Sequence, residues 1–112
     1  MSNLEERMAK LEYHMELLLK QVRVDQYPFD ILVIRGKLSR DNVTYLLKLC
    51  EELSIEMKKQ KAEGFVTFTP LLTKYKQLLH PNLPLEETIQ AMYEQGMFEP
   101  LMLEFLKLIK KK

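Results

Sequence analysis

One cysteine, Cys50, is all that the chain contains. No disulfide can form within it, and a lone thiol suits a reducing compartment better than an oxidising one. Glycine is equally scarce. Gly36, Gly64 and Gly96 stand about thirty residues apart, so there is no G-x-G-x-x-G or phosphate-cradling loop, and each is placed to stop a helix. An excess of either charge is missing too: 17 Lys and Arg against 16 Asp and Glu leave +1, which gives no global field toward nucleic acid or an anionic membrane. Long apolar runs are absent. The densest, Leu101 to Ile109, is interrupted by Glu104 and Lys107 and falls far short of the ~20 residues that span a bilayer. The opening Met1-Ser2-Asn3-Leu4-Glu5-Glu6-Arg7 has neither the basic flank nor the apolar core of a signal peptide, so a cytoplasmic location is expected.

What is present is enough to fold. At 112 residues with 46% hydrophobic and 29% charged residues, the composition is that of one globular domain rather than a disordered chain. The opening segment carries the clearest pattern. Ser2 and Glu5 are spaced as a capping box, and Leu4, Met8, Leu11, Met15, Leu18 and Val22 alternate steps of four and three, the 3.5-residue repeat of a coiled coil. A helix from about Asn3 to Val24 would run about 33 Å at 1.5 Å per residue, as long as a domain of this size is wide. It must lie along the domain or pair with another copy. The expected organisation is therefore a single helical domain, 1–112, with 1–24 an oligomerisation helix on or beside a helical core at 28–110.

Asp25-Gln26-Tyr27-Pro28 breaks this helix. Ile31 to Ile34 reads either as a buried strand or as one buried helical turn. With Pro28 before and Gly36 after, a short helix over Phe29 to Arg35 is the better choice. Ser39 caps a long helix to about Glu63, with Leu38 and Val43 placed as a hydrophobic staple and a stripe of Val43, Leu46, Leu47, Cys50, Leu53 and Met57. Phe65 to Phe68 alternates like a strand but reads as an extended connector; paired with Ile31 to Ile34 it would make the fold α+β. Thr69 and Pro70 look like the cap and first residue of a helix over Leu71 to Leu79, closed by His80-Pro81. Pro84 opens another with Glu86 and Glu87 in its first turn and Leu85, Ile89 and Met92 facing inward. Pro100 opens a last helix, Leu101 to Ile109, apolar nearly all round. The fold class is an all-α multihelical bundle of five to six helices.

No catalytic, cofactor or metal site emerges. His14 and His80 are the only imidazoles, and neither has a second ligand at metal-binding spacing. Cys50 lies on a core stripe, where a thiol behaves as a small hydrophobe. The adjacent pairs Glu51-Glu52 and Glu86-Glu87 point about 100° apart on a helix and do not converge. Met97 and Met102 around Phe98 read as core packing, or else as a groove for a helix.

Two functions of different class follow. The first is a protein interaction or scaffold module that homo-oligomerises as a dimer or trimer through Leu4, Met8, Leu11, Met15, Leu18 and Val22, with Leu103 and Leu106 on the over-apolar last helix. An unidentified protein partner is compatible with it. Its competitor is an intramolecular antiparallel pairing of the two long helices. The alternative function is a nucleic-acid-associated regulator using Lys58, Lys59, Lys61, Lys74 and Lys76, with the helix pair 71–79 and 85–95 imitating a helix-turn-helix. Against it, no Lys or Arg occurs from Gln77 to Leu106, while Glu86, Glu87, Glu94, Glu99 and Glu104 do, so the would-be reading helix is acidic where it would approach phosphate.

The ordered segments Tyr27-Pro28-Phe29-Asp30-Ile31-Leu32, Gly64-Phe65-Val66-Thr67-Phe68-Thr69-Pro70, His80-Pro81-Asn82-Leu83-Pro84 and Gly96-Met97-Phe98-Glu99-Pro100 run the length of the chain. In them the sequence resembles the YhaI-like family of small uncharacterised proteins from Bacillus and relatives. The resemblance implies a multihelical, oligomeric, bacterial cytosolic protein and assigns no catalytic residue.

Overall fold

The computed structural model describes residues 2–22 and 26–110, with Ser2 described through its backbone alone. Among these residues there are six α-helices and no strand: α1 (Ser2–Leu19), α2 (Pro28–Arg35), α3 (Arg40–Ala62), α4 (Thr69–Leu78), α5 (Leu85–Glu94) and α6 (Glu99–Ile109). The all-α expectation holds. The two ambiguous segments resolve as a helix, for Ile31 to Ile34, and as an irregular connector, for Phe65 to Phe68. They do not pair as strands: the first satisfies its backbone within α2, and the second does not keep its alternation, since Phe65, Val66 and Thr67 all face out and only Phe68 is buried.

Three helix ends differ from the sequence expectation, each for a local reason. α1 stops at Leu19, and Gln21 donates its N–H to the Leu18 carbonyl at 3.0 Å, a tightened final turn that leaves Val22 outside the helix. The expected capping box at Ser2 and the end at Val24 lie outside the described side chains and residues. Phe68, not Thr69, is the N-cap of α4. Its carbonyl accepts from Leu71 and Leu72, and its ring is buried, so the turn into the helix is set one residue earlier. α6 likewise begins at Glu99, because the Phe98 carbonyl accepts the Met102 N–H at 2.9 Å.

The other ends follow the sequence closely. Ser39 and Asn42 form a reciprocal capping box, Ser39 Oγ accepting the Asn42 N–H at 3.1 Å and Asn42 Oδ1 accepting the Ser39 N–H at 2.9 Å. Gly64 (φ +93°) and Gly96 (φ +76°) take the left-handed position after α3 and α5. In both turns the next residue's N–H reaches back to close a Schellman motif, Phe65 to Gln60 and Met97 to Met92, each at 2.9 Å. Gly36 departs from this pattern. It remains right-handed (φ −81°), and the left-handed position after α2 falls on Lys37 (φ 56°). Glycine at 36 serves close approach instead: a Cβ there would press on the Leu32 carbonyl oxygen at 3.1 Å and on that of Asn82 at 3.2 Å, so these neighbours would have to give by a few tenths of an ångström.

Helix α6 forms the axis of the body. It packs on α5, α3 and α4, and Leu101, Met102, Phe105 and Leu106 are buried among them. Three neighbours, not one, cover its all-round apolar surface, so that surface is spent within the chain and does not by itself call for another copy. Met97 and Phe98 pack half-buried against the same core and Met102 lies inside it, as core packing of these residues requires. Leu49, not placed on the α3 stripe, is buried with Leu46, Cys50, Leu53 and Met57.

Short α2 could not persist alone in water. It is held by α5 and its flanks. Beyond the burial of Phe29 and Ile31, Gln95 at the end of α5 acts as a remote N-cap: its Oε1 accepts the Phe29 N–H at 2.8 Å and the Asp30 N–H at 3.3 Å, while its Nε2 donates to Asp30 Oδ1 at 2.9 Å. At the other end Asn82 Nδ2 donates to the Gly36 carbonyl at 2.8 Å.

Two stability changes follow. Gln95→Ala removes the remote cap and should lower unfolding free energy by about 1–2 kcal/mol in urea titration, with faster hydrogen exchange confined to α2. Lys37→Gly relieves a left-handed side chain and should raise it by about 0.5–1 kcal/mol, the steric gain exceeding the added chain entropy.

Candidate interaction surfaces

The chain presents two surfaces and a sealed interior. The first surface is α1. Leu4, Met8, Leu11, Met15 and Leu18 fall on one stripe of the helix and are between 50% and 64% exposed, and Val22 beyond its end is exposed as well. No α1 side chain belongs to the core or to the half-buried hydrophobics packed on it. The helix does not pack along α3. Leu17 and Leu19 are half-buried. The radius of gyration, 17.2 Å with extents of 61 × 27 × 21 Å, exceeds the ~13 Å of a compact chain of this length because α1 stands away from the body. Of the two residues expected to extend this interface from the last helix, Leu103 is exposed, whereas Leu106 sits in the core.

The second surface is an open groove of about 400 Å³ between α2, α5 and the end of α6, lined by Pro28, Ile31, Leu32, Ala91, Leu106 and Ile109 and by the polar Arg35, Lys110, Glu86, Glu87, Gln90 and Glu94. Its lining holds no cysteine, histidine, serine or threonine, and so no side chain of the kind that serves as an activated nucleophile with an adjacent imidazole. Sequence periodicity did not reveal this groove, since α2 and α6 meet across α5 only in the folded chain.

The five lysines of the basic patch are all solvent-exposed. Lys61 does not stand free: its ammonium lies 3.6 Å from Glu104 and 5.7 Å from the centre of the Phe68 ring, which ties the end of α3 to α6 and the connector. Lys107 shares the same carboxylate at 3.7 Å. On α5, which packs against α6 and α2, Glu86, Glu87 and Glu94 are exposed, so the helix that would read a groove turns carboxylates outward. Lys111 and Lys112 lie outside the described residues.

The reactive groups of the interior are silenced by burial. Cys50 is fully buried, and desolvation pushes its thiol from the ordinary 9.0 up to about 12. Tyr75, also fully buried, has its phenol pushed up first by desolvation and then by Cys50. Its hydroxyl lies 3.4 Å from the Met92 thioether, a weak acceptor. Thr88 is buried with its hydroxyl unpaired. Among the described residues no three His, Cys, Asp or Glu side chains converge as a metal site would need, and no helix is long and apolar enough to cross a membrane.

A testable consequence concerns Cys50. At pH 8 an aromatic disulfide reagent should label the native thiol at least about a hundredfold more slowly than the unfolded one, since thiolate and access are both lost. The folded thiol keeps its proton to about 12 and the unfolded one releases it near 9.0. Across that window the folded state therefore binds more protons. The stabilising contribution is complete below pH 9 and is lost as pH rises toward 12, with Tyr75 acting in the same direction; urea midpoints measured from pH 8 to 11 should fall accordingly.

The helical body, its remote caps and the free-standing α1 together occupy residues 2–110 of a pattern that is shared: a family model described as a protein of unknown function, DUF1878, matches residues 1–110, and the chain belongs to that family.

Proposed function

We propose that this protein is a non-enzymatic interaction or scaffold module that assembles with copies of itself through α1. The observation that carries this is the exposed stripe Leu4, Met8, Leu11, Met15 and Leu18, which keeps coiled-coil spacing on a helix that the chain's own core does not use. A contiguous apolar stripe of this length on a soluble protein marks a surface that is covered in solution. The buried, proton-retaining Cys50 supports the absence of covalent chemistry, and the coupling of Lys61 to Glu104 weakens the nucleic-acid alternative. A cytoplasmic bacterial setting and the narrower kinship with YhaI-like proteins of Bacillus rest on the four proline- and glycine-marked segments and accompany this proposal.

Light scattering at tens of micromolar tests it. A mass that is a multiple of 13.4 kDa is expected, and Leu11→Asp should convert it to one chain, because a carboxylate in the seam has no partner there. The helical body should survive that change, since Leu11 contributes nothing to the core. A wild-type protein of a single chain's mass at that concentration overturns the proposal.

A further inference from the structure

The stripe on α1 is bordered by charge of opposite sign on its two sides. At 100° per residue, Arg7, Lys10 and His14 fall on one flank of the seam and Glu5, Glu12 and Glu16 on the other, all exposed. In heptad terms Leu4, Leu11 and Leu18 occupy d, and Met8 and Met15 occupy a. Arg7 then stands at g and Glu5 and Glu12 at e, with Lys10 and Glu16 one step further out. The sorting matters because the two orientations of a helix pair bring different flanks together. Parallel helices set the g flank of one copy against the e flank of the next, so Arg7 of each copy meets Glu12 of the other. Antiparallel helices set g against g and e against e, so Glu5, Glu12 and Glu16 face their own kind, as do Arg7 and Lys10. Like charges opposed across a seam repel by about as much as opposite charges attract.

We infer that copies of this chain associate through α1 in parallel and in register, with every helical body at the same end of the coil. This rests on the self-association proposed above and adds its direction. The apolar seam alone would tolerate either orientation; the sorted flanks decide between them. The bodies follow the end of α1 through the Lys20 to Tyr27 segment, so parallel pairing gathers them side by side, while antiparallel pairing would hold them apart at opposite ends.

Disulfide trapping in the full chain reads the direction. Leu4→Cys should form an interchain bond at its own position in a glutathione buffer, since in-register parallel helices bring the two sites within disulfide reach. In an antiparallel register that pairs the whole seam, a positions layer against d positions, so position 4 lies beside position 22 and about 27 Å from its own counterpart. A mixture of Leu4→Cys and size-tagged Val22→Cys chains should therefore give only like-with-like products. The wild-type chain serves as the control, because its one thiol is fully buried. In parallel, Arg7→Glu should weaken association roughly tenfold at low salt, and adding Glu12→Arg to it should restore most of the loss. A dominant mixed product between positions 4 and 22, or an Arg7→Glu chain that associates as well as the wild type, overturns the parallel arrangement. Either result leaves self-association standing, whereas a one-chain mass for the wild type removes both. None of these substitutions touches the core, so the helical body should be unchanged in each by circular dichroism.

Discussion

Phe105 meets Tyr75 with ring centres 5.3 Å apart and planes tilted by 50°, at the place where α6 runs between α3, α4 and α5. This contact sits at the centre of the only large apolar volume that the described residues enclose. Leu53, Ile89, Met92, Leu101 and Met102 belong to the same core, all at or near zero exposure. Each such side chain contributes about 2–3 kcal/mol on leaving water, and α3, α4 and α5 each bury apolar surface against α6. The sparse polar groups inside are tolerated on the same terms. The Tyr75 hydroxyl has a soft sulfur acceptor and Thr88 has none, and the thiol of Cys50 holds its proton because nothing nearby would stabilise the anion.

Around that centre, directional bonds decide placement more than they add stability. Gln95 and Asn82 belong to the segments on either side of α5, and together they grip the first amides and a final carbonyl of α2. An eight-residue helix is thereby fixed at both ends by residues that lie about fifty or more positions away in sequence. The arrangement also accounts for Gly36. The loop carrying Asn82 approaches so closely that a Cβ at Gly36 would press on its carbonyl oxygen at 3.2 Å, and the left-handed position of the turn falls on Lys37. With α2 fixed there, its Pro28, Ile31 and Leu32 form one wall of the groove facing Ala91 and Leu106.

Nothing comparable anchors α1. Its apolar positions are spaced for another helix, and the body offers it none, because α3 spends its stripe on α4 and α6. One part of the chain is stabilised by its own core; the other presents an exposed apolar stripe with charges of opposite sign sorted to its two sides, and it is on this division that the proposed interaction role rests.

The local signals in the sequence were sufficient for the helices. Pro28, Ser39, Gly64, Gly96 and Pro100 mark starts and stops through φ restriction, side-chain capping and left-handed freedom, which depend on neighbours within a turn. The α1 seam and the burial of Cys50 were equally legible, because each is a matter of 3.5- or 3.6-residue spacing. What tertiary structure decided is what spacing cannot encode. The apolar excess of α6 looked like surface for another copy, and only the packing of three helices around it showed where that surface goes, moving Leu106 into the core. Gln95 and Asn82 gave no sign of their capping role, since a hydrogen bond between residues 66 apart leaves no period in the sequence. The coupling of Lys61 to Glu104 was hidden for the same reason. Local chemistry fixes the elements, and long-range contact selects which of their faces remain for function.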